Sequence, residues 1–396
     1  MKNVMNLLKE NERFLGTKRP ILKDLTLEIT KKCPMECLIC SSNSCESCNV
    51  EFRFSELKRI VNDAIELGCE SIALSGGEPM IYPKIIELCE YLKKKKVETI
   101  IYTCGNITSN GTIQAIPENA LDQLKEIGVD KIIFSIHGSK EEHEKITTKK
   151  GSFKNLLTSV DRAKNLGFNT EFHFVPTKRN YKSLQTIVSI AEKMGVPTVS
   201  LLRFVPQGRG KLNRKSLELS YNETLELKSL IESLRAKSKV RIRVGAHYSC
   251  LGLNGARCTA AWEKATILPE GFVVPCPSMK ELWRRDYLDD VKKRSLSDIW
   301  YNSQIFIETR TFFNKILSTP CARYCKNFNV CKGGCPTQRI LFYGGVERGP
   351  DPLCSNKSIW ISTNFRLQKV PVLLSNVTTC RANFMGGLVV EHSLRF

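Results

Sequence analysis

Cysteine spacing constrains this chain more than any other feature. Eleven of its seventeen cysteines fall into three groups with iron–sulfur spacing. The first group, Cys33, Cys37 and Cys40 in "TKKCPMECLICSS", reads C-x3-C-x2-C and has only three members. Three thiolates leave one corner of a four-iron cubane without a protein ligand, and an open metal position is where chemistry happens. Pro34, Met35 and Glu36 allow a loop tight enough to fold around a cluster.

The chain has 396 residues, 42% of them apolar, enough for one large core and a smaller satellite domain. No stretch approaches the roughly 20 apolar residues of a membrane span. The opening "MKNVMNLLKENERF" carries charges where a signal peptide needs its apolar centre. A cytoplasmic protein without a membrane partner is therefore expected. In a reducing cytosol, this many cysteines point to metal ligation or redox chemistry rather than to a secreted disulfide scaffold. The formal charge of +20 favours acidic partners: a nucleotide-like cofactor, an acidic peptide, a small acidic redox protein, or nucleic acid. Nucleic acid is the weakest of these, because aromatics and basic residues do not interleave as in a single-strand reader. The Lys93–Lys96 run reads as a solvated helix end.

From residue 23 to about 210, strand-like and helix-like segments alternate. Strand candidates are "LTLEIT" (25–30), "SIALS" (71–75), "TIIYT" (99–103), "KIIFSI" (131–136), "TEFHFV" (170–175) and "TVSLLRF" (198–204). They are short and apolar, as buried parallel strands should be. Ser55 and Ser152 are candidate helix caps, and Gly68, Gly167 and Gly195 are candidate stops. Six such units suggest an α/β fold, a parallel sheet curled into a partial (β/α)6 barrel; a flat doubly wound sheet is the alternative. Past residue 240 cysteines become dense, and Cys250 to Cys354 reads as a small domain organised by metal. The expected divisions are an extension (1–22), the barrel (23–240), the Cys-rich domain (241–365) and a tail (366–396).

Cys33 follows the first strand candidate, where a barrel builds its active site. One strand later, "LSGGEP" supplies Gly76, Gly77, Glu78 and Pro79. This loop and turn, in this order, resemble the radical SAM superfamily. The resemblance implies a [4Fe-4S] cluster on Cys33, Cys37 and Cys40 whose open iron binds S-adenosylmethionine. It implies that the Gly-Gly-Glu-Pro turn meets the cofactor's ammonium, with Glu78 adding a carboxylate. One electron then splits the sulfonium and yields a 5′-deoxyadenosyl radical that takes a hydrogen atom from substrate. Ser135 occupies a position that contacts the cofactor's ribose or carboxylate in similar enzymes. Ile39 stands where an aromatic residue usually packs near adenine. Thr147 stands near the place of an Arg that many relatives carry.

The later cysteines are similar to the SPASM extension of that superfamily. Cys258 is followed by Gly271 and Cys276, then by Cys321-x3-Cys325-x5-Cys331-x3-Cys335, and then by Cys354. The family usually begins its second block C-x2-C; this chain has x3. "SLSDIW" looks like that domain's linker. The resemblance implies two auxiliary [4Fe-4S] clusters, one on Cys250, Cys258, Cys276 and Cys335, the other on Cys321, Cys325, Cys331 and Cys354. Zinc is the competing metal for such spacing. Of the remaining six cysteines, Cys69, Cys89 and Cys104 read as small core residues, and Cys380 has no reading. Cys45 and Cys48 form C-x2-C, either a mobile loop or a metal or redox pair.

His137, His173, Asn106, Arg203 and Gln207 are strand-end candidates for contact with substrate, and "RFVPQGRG" has the glycines of an anion-binding loop. The expectation is a radical SAM enzyme that modifies a side chain in a peptide or protein. It would be served by a reducing partner such as flavodoxin or ferredoxin and by a separate peptide-presenting protein. A small-molecule or cofactor-biosynthesis enzyme of the same superfamily is the first alternative. A non-catalytic electron-transfer or zinc-dependent nucleic-acid-binding protein is the second.

Overall fold

The computed structural model describes residues 19–253 and 258–362. Cys380, the tail (366–396) and most of the N-terminal extension lie outside these residues. All six strand candidates form strands: β1 (Asp24–Thr30), β2 (Ser71–Gly76), β3 (Glu98–Thr103), β6 (Lys131–Ser135), β7 (Thr170–Phe174) and β8 (Thr198–Leu201). Between β3 and β6 lies a hairpin, β4 (Asn106–Ser109) and β5 (Thr112–Ala115), that pairs only with itself. Three further strands follow: β9 (Arg241–Val244), β10 (Lys264–Ile267) and β11 (Val273–Val274).

The main sheet has the order β11-β10-β1-β2-β3-β6-β7-β8-β9. From β1 to β9 the order follows the sequence without reversal and every pairing is parallel. A doubly wound sheet must reverse at a switch point; a barrel does not. This singly wound order is that of the expected partial barrel. Residue 240 is not a break in it, because β9 pairs with β8, and β10 pairs with β1, in parallel.

The strands are amphipathic rather than uniformly apolar. Leu25, Leu27, Ile29, Ile72, Leu74, Ile101, Ile132, Phe134, Phe172 and Phe174 join the core under the surrounding helices. Helix Phe54–Glu66 contributes Leu57, Ile60, Val61 and Ala64 from one face, at the 3–4-residue spacing of a helix. It begins at a capping box between Arg53 and Glu56, so Ser55 is inside the helix and not its cap. Because side chains alternate across a strand, the opposite face pairs Glu28 with Ser75, sets Tyr102 beside Ile133, and lines up Ser135, His173, Ser200 and Arg243 in register. The concave interior therefore carries many polar side chains.

Candidate functional site

The C-terminal ends of the parallel strands collect the predicted residues. Cys33, Cys37 and Cys40 follow β1, and the Gly76-Gly77 turn closes β2. The cluster loop is fixed by its backbone. Cys40 N–H donates to the Cys37 carbonyl (3.1 Å), Cys33 N–H to the Cys45 carbonyl (3.0 Å), and Leu38 N–H to Ile146 in helix Lys140–Thr147 (2.8 Å). Burial pushes the Cys37 thiol well up, and the neighbouring Cys33 and Cys40 push it further. Three thiols so close cannot ionise together on their own; a cationic metal core is what makes that arrangement favourable. The donor set thus fits an iron–sulfur cluster.

The glycine turn does structural work as well. Gly77 N–H donates to Thr30 O (2.7 Å) and Glu78 N–H to Lys32 O (2.9 Å), pressing the turn against the root of the cluster loop. A Cβ on Gly77 would lie 2.0 Å from Lys32 O, and one on Gly76 (φ +122°) 2.4 Å from Thr30 O. A Gly77→Ala variant is therefore expected to lose about 1–3 kcal/mol from overpacking against backbone. Chemical denaturation measures this, and an unchanged midpoint would refute the tight contact.

The Glu78 carboxylate is fully buried and accepts from Thr103 Oγ1 (2.7 Å), Cys104 N–H (2.7 Å) and Met80 N–H (3.1 Å). Its oxygens thus bind the ends of β2 and β3 together. Pro79 is buried in the following 3-10 turn, Pro79–Ile81.

Ser135 ends β6 and lies beside His173 of β7 in register. The His173 ring packs 5.1 Å from Tyr102, and its Nε2 lies 3.1 Å from Glu171 Oε1. Glu171 also pairs with Lys131 and with Arg243 (2.8 Å). Burial opposes its charge, but its His173, Lys131 and Ser200 partners outweigh that and hold the carboxyl well below the usual range. Ile39 is half-buried in the cluster loop, as an apolar contact requires. Thr147 is buried, and its hydroxyl is engaged by His143 O (2.9 Å) and Ser152 Oγ (2.8 Å).

Other strand-end candidates turn out to hold the framework. Asn106 bonds the Cys104 and Ser152 carbonyls (2.9 and 3.2 Å). Gln207 Oε1 accepts from Glu281 N–H (2.9 Å). Arg203 pairs with Asp351 (2.8 Å). His137 stacks on His143 with centroids 5.4 Å apart, and burial lowers its pKa to about 4, keeping the ring neutral. "RFVPQGRG" is not an open anion loop; it lies on the back of the cluster loop. A Cβ on Gly208 would meet Cys40 O at 2.6 Å.

Cys45 and Cys48, left open in sequence between a mobile loop and a metal or redox pair, are joined by a disulfide, Cα–Cα 5.2 Å apart. Their C-x2-C turn brings the two Cα atoms within bonding range. Two residues were missed from sequence. Cys104, read as a core residue, sits just past β3, where its thiol donates to Asn106 O (3.5 Å) and neighbouring Cys33 and Glu78 help push its pKa well up. Lys280 reaches from beyond Cys276 into the barrel, where it pairs with Glu28 and bonds Ser42 Oγ (2.6 Å). The signal for Cys104 was its position just past a strand; Lys280 gave none.

The later cysteines gather into two groups. Cys258 is raised to about 12 by burial, then by Cys276 and Cys335, and Cys354 to about 11 by burial, then by Cys321 and Cys325. Cys331 has Cys354 and Cys321 as charge neighbours. Cys250, expected beside Cys258, instead feels Cys331 and Cys354, and Ser249 Oγ donates to Cys331 O (2.8 Å). Three N–H groups point at sulfur in the second group: Trp360 Nε1 at Cys321 (3.1 Å), Asn356 N at Cys354 (3.4 Å) and Asn356 Nδ2 at Cys325 (3.6 Å). Such donors stabilise cluster thiolates.

The sequence pattern of the radical SAM superfamily matches residues 27–191, and that of SPASM, an iron–sulfur cluster-binding domain, matches 258–336. The chain is a radical SAM enzyme with a C-terminal SPASM domain. Its radical SAM and SPASM parts are shared with curated relatives along most of their length. PqqA peptide cyclase of Granulibacter bethesdensis is 27% identical over 84% of this chain and 86% of its own. Fe-coproporphyrin III synthase of Methanosarcina barkeri is 24% identical over 86% of this chain and 89% of its own. In fold, the enzyme is similar to SuiB of Streptococcus suis, solved with S-adenosylmethionine and with the precursor peptide SuiA. The S-adenosylmethionine complex has a TM-score of 0.69 at 15% identity, covering 89% of this chain and 81% of SuiB. Radical SAM and SPASM domains bind iron–sulfur clusters and S-adenosylmethionine, and no helix among the described residues is long and apolar enough to cross a membrane.

Proposed function

We propose that this radical SAM enzyme modifies a side chain within a peptide or protein. The observation that carries the proposal is the convergence of Cys33, Cys37 and Cys40 beside the glycine turn of β2, at the mouth of a polar barrel. When bound, the cluster and S-adenosylmethionine together supply the 5′-deoxyadenosyl radical that abstracts a hydrogen atom. The chain's own residues orient and enclose that chemistry. Gly76, Gly77, Glu78 and Pro79 hold the turn against the cluster loop, Ile39 offers an apolar contact, and Ser135 offers a hydroxyl from the neighbouring wall. His173, held by Glu171, gives the interior a neutral imidazole able to accept or donate a proton. The paired charges of Glu171, Lys131 and Arg243 suit a substrate with amide groups better than an apolar one.

Two auxiliary four-iron clusters on Cys250, Cys258, Cys276, Cys321, Cys325, Cys331, Cys335 and Cys354 would carry away the substrate electron. Full thiolate ligation suits that task. The position of Cys250 beside Cys331 and Cys354 favours its service to the second cluster or to the seam between the two. A cytoplasmic setting, a flavodoxin or ferredoxin as reductant, and a separate peptide-presenting protein belong to the same proposal. The names of PqqA peptide cyclase and of SuiB with its precursor peptide support a peptide substrate. The comparable similarity to Fe-coproporphyrin III synthase supports a second reading, a small molecule of cofactor biosynthesis.

Anaerobic reconstitution with iron and sulfide, followed by reduction with S-adenosylmethionine present, tests the core reading. Formation of 5′-deoxyadenosine is expected, and its absence from cluster-loaded protein would sink it. Adding short Cys-rich peptides encoded beside the gene should then give a mass change in the peptide. Turnover of a copurified metabolite with no peptide product would decide for the second reading.

A further inference from the structure

Arg209 packs against the cluster loop. Its Nε–H donates to Cys37 O (3.0 Å), Nη2 to Ser44 O (2.5 Å) and Nη1 to Asn43 Oδ1 (3.3 Å). Neighbours in the same segment press on the same loop. Asn213 Nδ2 donates to Leu38 O (3.3 Å), and a Cβ on Gly210 would lie 3.3 Å from Ile39 O. The other buried cations of this region are neutralised: Arg203 by Asp351 and Lys280 by Glu28. Arg209 differs. All three of its acceptors are neutral oxygens, and among the described residues no ion pair includes it. Its positive charge thus has no ion-pair partner, the Glu281 carboxylate nearby accepting instead from Gly208 N–H (3.0 Å), and it lies next to a cysteine expected to carry thiolate.

We propose that Arg209 is a positioning residue for the radical-initiating cluster: it braces the loop through Cys37 and raises the cluster's reduction potential with its unpaired charge. This rests on the reading that Cys33, Cys37 and Cys40 hold that cluster. The physics is direct. Reduction adds a negative charge to a site already ringed by thiolates, and a fixed cation a few ångströms away stabilises the reduced form more than the oxidised one. Arginine keeps that charge at every working pH.

The test is an EPR-monitored redox titration of the cluster whose signal changes when S-adenosylmethionine is added. In Arg209→Gln, the reduced-to-oxidised ratio at a fixed potential should fall at least tenfold, equivalent to ~59 mV for one electron. Arg209→Lys should stay near wild type. Asn213→Ala, which loosens the loop without removing charge, should leave the midpoint in place. A wild-type midpoint in Arg209→Gln, or an equal shift in Asn213→Ala, overturns the proposal. If Arg209→Gln does not retain the cluster, Asn43→Asp replaces it, since a carboxylate there neutralises the guanidinium. That variant should lower the midpoint, and no shift overturns the proposal. Failure of the underlying reading looks different: no signal of the wild-type protein would respond to S-adenosylmethionine.

Discussion

A Cys37→Ala variant should form no 5′-deoxyadenosine above background while keeping about two thirds of its iron, the share of two clusters in three. The loss follows from ligand count. Two thiols remain at the loop, while the backbone carbonyl at position 37 that accepts from Cys40 N–H and from Arg209 is kept, so only a ligand is removed. The retention follows from placement, because the later cysteines are carried by segments past β9 with their own core of Met279, Phe312, Ile316 and Trp360. The measurement pairs product analysis with iron and sulfide quantitation. Wild-type product in the variant would remove the three-cysteine loop from the chemistry. Loss of all iron would mean that the loop and the later cysteines do not bind metal independently.

The second large effect is expected at Asp351. Its carboxylate accepts from Arg203 (2.8 Å), Cys335 N–H (2.9 Å) and Leu353 N–H (2.9 Å), and its carbonyl accepts from Cys354 N–H (2.8 Å). One residue thus ties the end of β8 to one cysteine from each group. Asp351→Asn leaves Arg203 buried without a counter-charge, which costs about 3–5 kcal/mol. Chemical denaturation should show that loss at neutral pH. Burial opposes ionisation of Asp351, but Arg203 and the two amides outweigh it and depress the carboxyl. A carboxyl depressed in the folded state stabilises above its unfolded value, about 3.9, and that stabilisation fades as pH falls through the folded value. The gap between wild type and variant should therefore begin to narrow only below about pH 4 and close only below the depressed folded value. A variant as stable as wild type at pH 7 would show the pair to be dispensable.

How much of this was legible beforehand depends on the range of the interaction. The six strands were readable because apolar periodicity is local, and the cysteine loops because their spacing is local. The hairpin β4–β5 was missed because its strands are four residues each. β10 was missed because its partner, β1, lies more than two hundred residues away in sequence. The strands' polar face was overlooked because β1, for one, reads as β-branched and apolar although Glu28 lies within it. The framework role of Glu78 was hidden for a similar reason. Its motif position was evident, but the donors to its carboxylate come partly from β3.

By itself the sequence determined the chemistry: three thiols in one loop, a glycine turn one strand later, and a dense cysteine domain after the barrel. Spacing along the backbone points to that, since eight residues with a Pro among them can curl into a single loop. Only the tertiary structure decided which charges serve the site. Arg203 and Lys280 look as available as Arg209 in sequence, yet two meet carboxylates and one does not. Ion pairs depend on distances of a few ångströms between residues far apart in the chain, and these are set when strands register and loops dock.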